Sequence, residues 1–203
     1  MTSVKYDFEF LAGFCTDATI QLNKYILNLH LYINTESDID QQTAFERMNL
    51  MMYDIVDNCI FINETDQLTY SQLSKSDFRI LTIPDPGPID QIIQMVLVNK
   101  LNSVTSDKIH IFESEMSSQR GGYVKYMYFS SENTDENTEI ISTDTCEWWN
   151  NDSLTFNNIT EQEDIIDFAD EASWHTVNLE WEDELNDISE ISNIITMPVH
   201  NEN

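Results

Sequence analysis

The stretch VKYDFEF, residues 4–10, places Val4, Tyr6, Phe8 and Phe10 on one side of an extended chain and Lys5, Asp7 and Glu9 on the other. Alternation with a period of two marks a half-buried strand, because successive side chains point to opposite faces. YILNLHLYI, residues 25–33, repeats the pattern with Tyr25, Leu27, Leu29, Leu31 and Ile33 in line. Its other side carries Ile26, His30 and Tyr32, so both faces are expected to be partly covered. Two such strands, close in the chain, imply a sheet with one face on a core.

Beyond this pair the apolar period changes to that of a helix. Ala44, Met48, Met51, Met52, Ile55 and Val56 form one stripe, which predicts a helix over 39–56 capped by Ser37. Ile89, Ile92, Ile93, Val96, Leu97 and Leu101 predict a second helix over 89–104, with Lys100 as the polar intruder on its apolar face. Pro84, Pro86, Gly87 and Pro88 stop the preceding chain and start that helix. Cys59–Ile62 and Phe78–Ile83 read as short strands, and Ile109–Glu115 and Tyr123–Phe129 as a hairpin turning through Gly121 and Gly122. The fold class expected for residues 1–130 is α+β, a mainly antiparallel sheet with two amphipathic helices on one face.

Charge divides the chain more sharply than any turn. Of 203 residues, 37 are acidic and 9 are Lys or Arg, a formal charge of −28. Residues 1–130 hold 17 carboxylates and all 9 basic residues, or −8. Residues 131–203 hold 20 carboxylates and no Lys or Arg, or −20, and carry all four tryptophans. The polar stretch 130–137 between them reads as a linker. The second region is therefore expected as an acidic, Trp-containing unit folded onto or beside the core. Thr160 with Glu163 is a capping-box pattern for a short helix there. Val177, Leu179 and Trp181 alternate like a strand, and Trp181, Leu185 and Ile188 begin a helical stripe.

The excess of carboxylates excludes whole classes of function. Non-specific nucleic-acid binding needs Lys and Arg to displace counterions from phosphates, so no direct nucleic-acid contact is expected. Anionic membranes require a basic patch, and no apolar run is long enough to span a bilayer. The start of the chain lacks the layout of a signal peptide, and Cys15, Cys59 and Cys146 are odd in number and widely spaced. Together these predict a cytoplasmic protein with free thiols, in a host cytoplasm if the source is viral. Abundant Ile and Asn suit a phage-like, low-GC origin, but codon bias would also raise Lys, of which there are six.

Catalytic signatures are missing. No cysteine has a histidine at a recognised spacing, and among 37 carboxylates pairs carry no information. Pro84–Asp90 lacks the glycines and lysine of a phosphate loop. Asp135, Asn137 and Glu139 alternate like calcium ligands without the glycine or distal glutamate that such a loop needs. Glu171, His175 and Glu180 could converge on a divalent ion, but one histidine among so many acids is expected by chance. Neither metal nor cofactor is expected.

The charge itself is the remaining candidate. Glu163, Asp167, Asp170, Glu171, Glu180, Glu182, Asp183 and Glu184 are taken as a partner-binding acidic surface, with Trp148, Trp149, Trp174 and Trp181 as aromatic anchors. The opposing readings are a solvated acidic surface for the carboxylates and, for the tryptophans, a small core in which they pack together or against the first domain. The expected function is a non-enzymatic acidic binding protein, a DNA mimic that occupies the basic surface of a nucleic-acid-handling partner. Its alternatives are a self-assembling structural or virion-associated protein and, third, a metal-dependent enzyme.

Overall fold

The computed structural model describes residues 2–16, 19–129, 147–154 and 173–183. The chain begins with two long antiparallel strands, β1 (Thr2–Thr16) and β2 (Thr19–Ile33), paired along their whole length. The expected alternation holds: Phe8, Phe10, Tyr25, Leu27, Leu29 and Leu31 are buried on one face. Lys5, Asp7 and Glu9 are exposed on the other. The next helix, α1 (Asp38–Asn49), starts where Ser37 Oγ accepts from the Asp40 N–H at 3.2 Å. It continues without a break as a π-helical turn over Leu50–Val56. That wider winding still buries Met48, Met51, Met52, Ile55 and Val56.

β3 (Ile60–Asn63), α2 (Gln67–Leu73) and β4 (Ile80–Ile83) follow, then α3 (Asp90–Val104), β5 (Ile109–Ser118) and β6 (Tyr126–Phe129). The six strands lie in the order β4-β3-β1-β2-β5-β6. β1, β2, β5 and β6 pair antiparallel, whereas β3 runs parallel to both β1 and β4. The class is α+β, but the sheet is mixed rather than mainly antiparallel. The cause is α2, which carries the chain from β3 back to the start of a parallel neighbour.

The two expected helices share one face, and α2 is a third helix that the residue pattern does not announce. α1 and α3 pack with the inner side chains of the sheet in one large core. α2 lies on the opposite face, where Tyr70 and Leu73 cover Cys15, Ile60 and Ile62. A strand covered on both faces loses its alternation and reads as a continuous apolar run, as Cys59–Ile62 does. The opposite face of β1, β2, β5 and β6 has no such cover among the described residues and is mixed, with Lys5, Asp7, His30 and Glu113 beside Tyr32, Phe112, Met127 and Phe129.

Candidate functional site

That uncovered face holds a cleft of about 420 Å³ lined by Lys5, Asp7, Asn28, His30, Glu113, Ser114, Glu115, Lys125 and Met127. Strand register assembles it. Lys5 of β1 pairs with His30 of β2, His30 with Glu113 of β5, and Glu113 with Phe129 of β6. One step along, the row is Asp7, Asn28, Glu115 and Met127. A bulge in β5 shifts the register between His30 and Leu31, so Phe112 is the extra residue. Bulges of this kind re-aim side chains. Here Phe112 stacks on Tyr32 with ring centres 4.2 Å apart, while Glu113 reaches His30.

The charges in the cleft fall into two kinds. Glu115 is engaged: Lys125 stands 2.8 Å away and the Asn28 amide donates to it at 3.0 Å. The Lys125 ammonium holds the Glu115 carboxyl below the usual range; burial opposes it, and the Asn28 amide adds a smaller pull downward. His30 is also engaged, with Nδ1 3.2 Å from Glu113. A carboxylate on one ring nitrogen orients the imidazole and leaves the other to give or accept a proton. The side chains of Lys5 and Asp7 have no hydrogen-bond or ion-pair partner among the described residues. They project from the same face of β1 two residues apart, ~7 Å between Cα atoms.

The acidic candidates lie elsewhere. Glu163, Asp167, Asp170, Glu171 and Glu184 fall outside the described residues, as do Cys146, Asp135, Asn137 and Glu139. Glu180 pairs with His175 at 2.8 Å, and Asp183 is exposed. The Glu182 carboxylate takes the Ser37 hydroxyl, and its N–H donates to Asp40 at 2.8 Å. The segment expected as a strand around Val177 makes turns over 174–178 instead, with Asn178 at φ 58°.

The tryptophans turn inward. Trp148 and Trp149 are fully buried, their rings meeting edge to face at 5.7 Å. The indole N–H of Trp148 donates to the Thr82 carbonyl at 3.0 Å. Trp181 is buried and Trp174 half-buried, and the two rings enclose the Arg47 guanidinium at 3.8 and 4.2 Å. The polar intruder of α3 has a parallel role. Lys100 is buried, and its ammonium donates to the carbonyls of Trp148, Asn151 and Ser153 at 2.8, 2.9 and 2.6 Å. Burial pulls the Lys100 pKa down, with Asp152 opposing.

No family model matches the chain, and no curated protein does. Solved structures of 6-pyruvoyltetrahydropterin synthase are similar to it over part of its length. Two catalytic-residue mutants of the Plasmodium vivax enzyme are 11% and 12% identical, each with a TM-score of 0.38, covering 64% of this chain and 99% of theirs. The Plasmodium falciparum enzyme is 11% identical with a TM-score of 0.34, over the same shares of the two chains.

The expectation of a non-enzymatic acidic binder that mimics DNA does not stand. The similar structures are those of an enzyme and give it no support. Within the described residues, the acidic third also gives its tryptophans and main-chain carbonyls to the protein's own core. Nucleophilic chemistry gains nothing either: burial pushes the thiols of Cys15 and Cys59 up, away from the reactive thiolate. Among the described residues no three His, Cys, Asp or Glu side chains group as metal ligands, and no helix is long and apolar enough to cross a membrane.

The cleft was missed in the sequence because its signal is not local. Lys5, Asp7, Asn28 and His30 are the polar phase of the two alternating strands, but Glu113 and Glu115 join them only through the β2–β5 register. The usable clue was His30 facing away from the core beside Tyr32.

Proposed function

We propose that the chain binds a small zwitterionic molecule in the cleft on the open face of the sheet. The observation that carries this reading is the pairing of Lys5 with Asp7, one cation and one anion on the same strand face and without partners among the described residues. Around them Glu115 and His30 are already fixed by neighbours, so the cleft wall is ordered before a ligand arrives. An amino or guanidino group suits Asp7, and a carboxylate or phosphate suits Lys5. The local balance is unlike the rest of the chain: two lysines face three carboxylates here, in a protein of −28. Lys125 is held by Glu115, which leaves Lys5 as the cation open to an anionic group of the ligand.

The test is titration of the isotope-labelled full chain with a panel of free amino acids, followed by amide and imidazole resonances. Shifts centred on Lys5, Asp7 and His30 that vanish in Lys5→Ala support the reading. No shift from any member at millimolar concentration, or shifts confined to other surfaces, overturns it.

A further inference from the structure

The open face of the sheet is laid out in two rows that cross it from β1 to β6. One row is Lys5, His30, Glu113 and Phe129, and the next is Asp7, Asn28, Glu115 and Met127. Each row starts on a charge and ends on an apolar side chain. Between the ends the polar groups meet one another, His30 with Glu113 at 3.2 Å and Asn28 with Glu115 at 3.0 Å. A ring lying over them strips water from no unpaired carboxylate, so the middle of the face tolerates an apolar group.

The apolar end is not explained by the core. Tyr128 turns inward and packs against the buried side chains. Met127 lines the cleft, and Phe129 on the same side of β6 keeps 62% of its surface exposed. Apolar side chains exposed side by side at a cleft are a recurring feature of ligand grooves. Strands lie ~4.8 Å apart, so the two ends of a row are about 14 Å apart.

We infer that the ligand of the cleft is an aromatic amino acid, with its ammonium on Asp7, its carboxylate on Lys5 and its ring against Met127 and Phe129. This rests on the reading of the cleft as a zwitterion site and adds what the rest of the ligand must be. A molecule such as phenylalanine is roughly 8 Å long by ordinary bond lengths, and a hydrogen bond at one end and a van der Waals contact at the other complete the span. Alanine, about half as long, stops short of β6. A methionine sulfur and a phenyl ring both favour an aromatic partner, which sets phenylalanine apart from leucine.

Calorimetric titration of the full chain with L-phenylalanine, L-leucine and L-alanine is the test. Phenylalanine binds at least tenfold more tightly than either of the others. Met127→Thr and Phe129→Thr together weaken its binding at least tenfold and remove its lead over alanine. Equal affinity for all three, lost in Lys5→Ala, overturns the aromatic assignment and leaves the zwitterion site standing. Phenylalanine binding untouched by the double variant overturns the assignment as well, and absence of binding by all three overturns both readings. Should the double variant not fold, nuclear Overhauser contacts on the wild type decide. Ring protons of bound phenylalanine close to the Met127 methyl support the assignment, and ring contacts to other methyls alone overturn it.

Discussion

The Arg47 guanidinium lies over the Trp181 ring, 3.8 Å from its centre, and so joins the most basic part of the chain to its most acidic part. With Trp174 on its other side, the cation is removed from water but faces two π systems and two carbonyls. Arg47→Ala leaves those carbonyls without their donor and opens a void between the indoles. The expected loss is ~3 kcal/mol in urea unfolding. Arg47→Lys keeps the charge but not the planar fork, and is expected to lose about half as much, roughly 1–2 kcal/mol.

Lys100 makes the second join. Removing its ammonium by Lys100→Met keeps the apolar stem but leaves three carbonyls, of Trp148, Asn151 and Ser153, without that donor. The expected cost is roughly 2–4 kcal/mol. Near-ultraviolet circular dichroism checks the location of the change, because Lys100 holds the Trp148 carbonyl and lies 5.9 Å from its ring centre, and the Trp148 ring in turn meets Trp149.

Acid is expected to loosen the segment around Trp181. Burial raises the Asp40 pKa, but the Glu182 N–H and the Lys108 ammonium more than offset it, so the folded-state value lies below the ordinary carboxylate range. A depressed carboxyl contributes stability above its unfolded value, about 3.9, and loses it as the pH falls through the folded value. Tryptophan emission should therefore shift to the red below pH ~4 in the wild type. Asp40→Asn should show a smaller acid-induced step.

The cleft separates binding from stability. Lys5 and Asp7 are exposed, so Lys5→Ala and Asp7→Ala are each expected to change unfolding stability by less than ~0.5 kcal/mol. Amino-acid binding to the same variants is expected to be lost. A variant that lost both would show that the side chain supports the sheet.

What could be read from the residues followed the reach of the pattern. β1 and β2 declare themselves because one face is buried and the other wet, so Phe8 and Glu9 or Leu29 and His30 alternate. α1 and α3 declare themselves through stripes such as Met48, Met52 and Ile55, and Ser37 caps α1 as its side-chain chemistry suggests. β3 and β4 are legible as short apolar strands, but their parallel pairing is not, since Ile60, Phe61 and Ile62 are all buried and show no period that sets a face or a direction. α2, seven residues long with Thr69 its one buried residue, is too short to show a stripe. Lys100 and Arg47 are illegible for a different reason. Each is satisfied by carbonyls or indoles 48 to 134 residues away, and no local rule places a buried cation against a distant main chain. The tryptophans can be read as partner anchors or as packed against the first domain, and the residues alone do not choose, because nothing nearby in the chain marks Arg47 and Thr82 as their partners.

The described tryptophans of the acidic third pack into the protein's own helical layer. Acrylamide quenching of tryptophan fluorescence on the native full chain tests it most directly. The expected result is blue-shifted emission and a quenching constant severalfold below that of the same chain in concentrated urea, with the half-buried Trp174 contributing most of what remains. Native emission and quenching equal to those of the unfolded chain would contradict it.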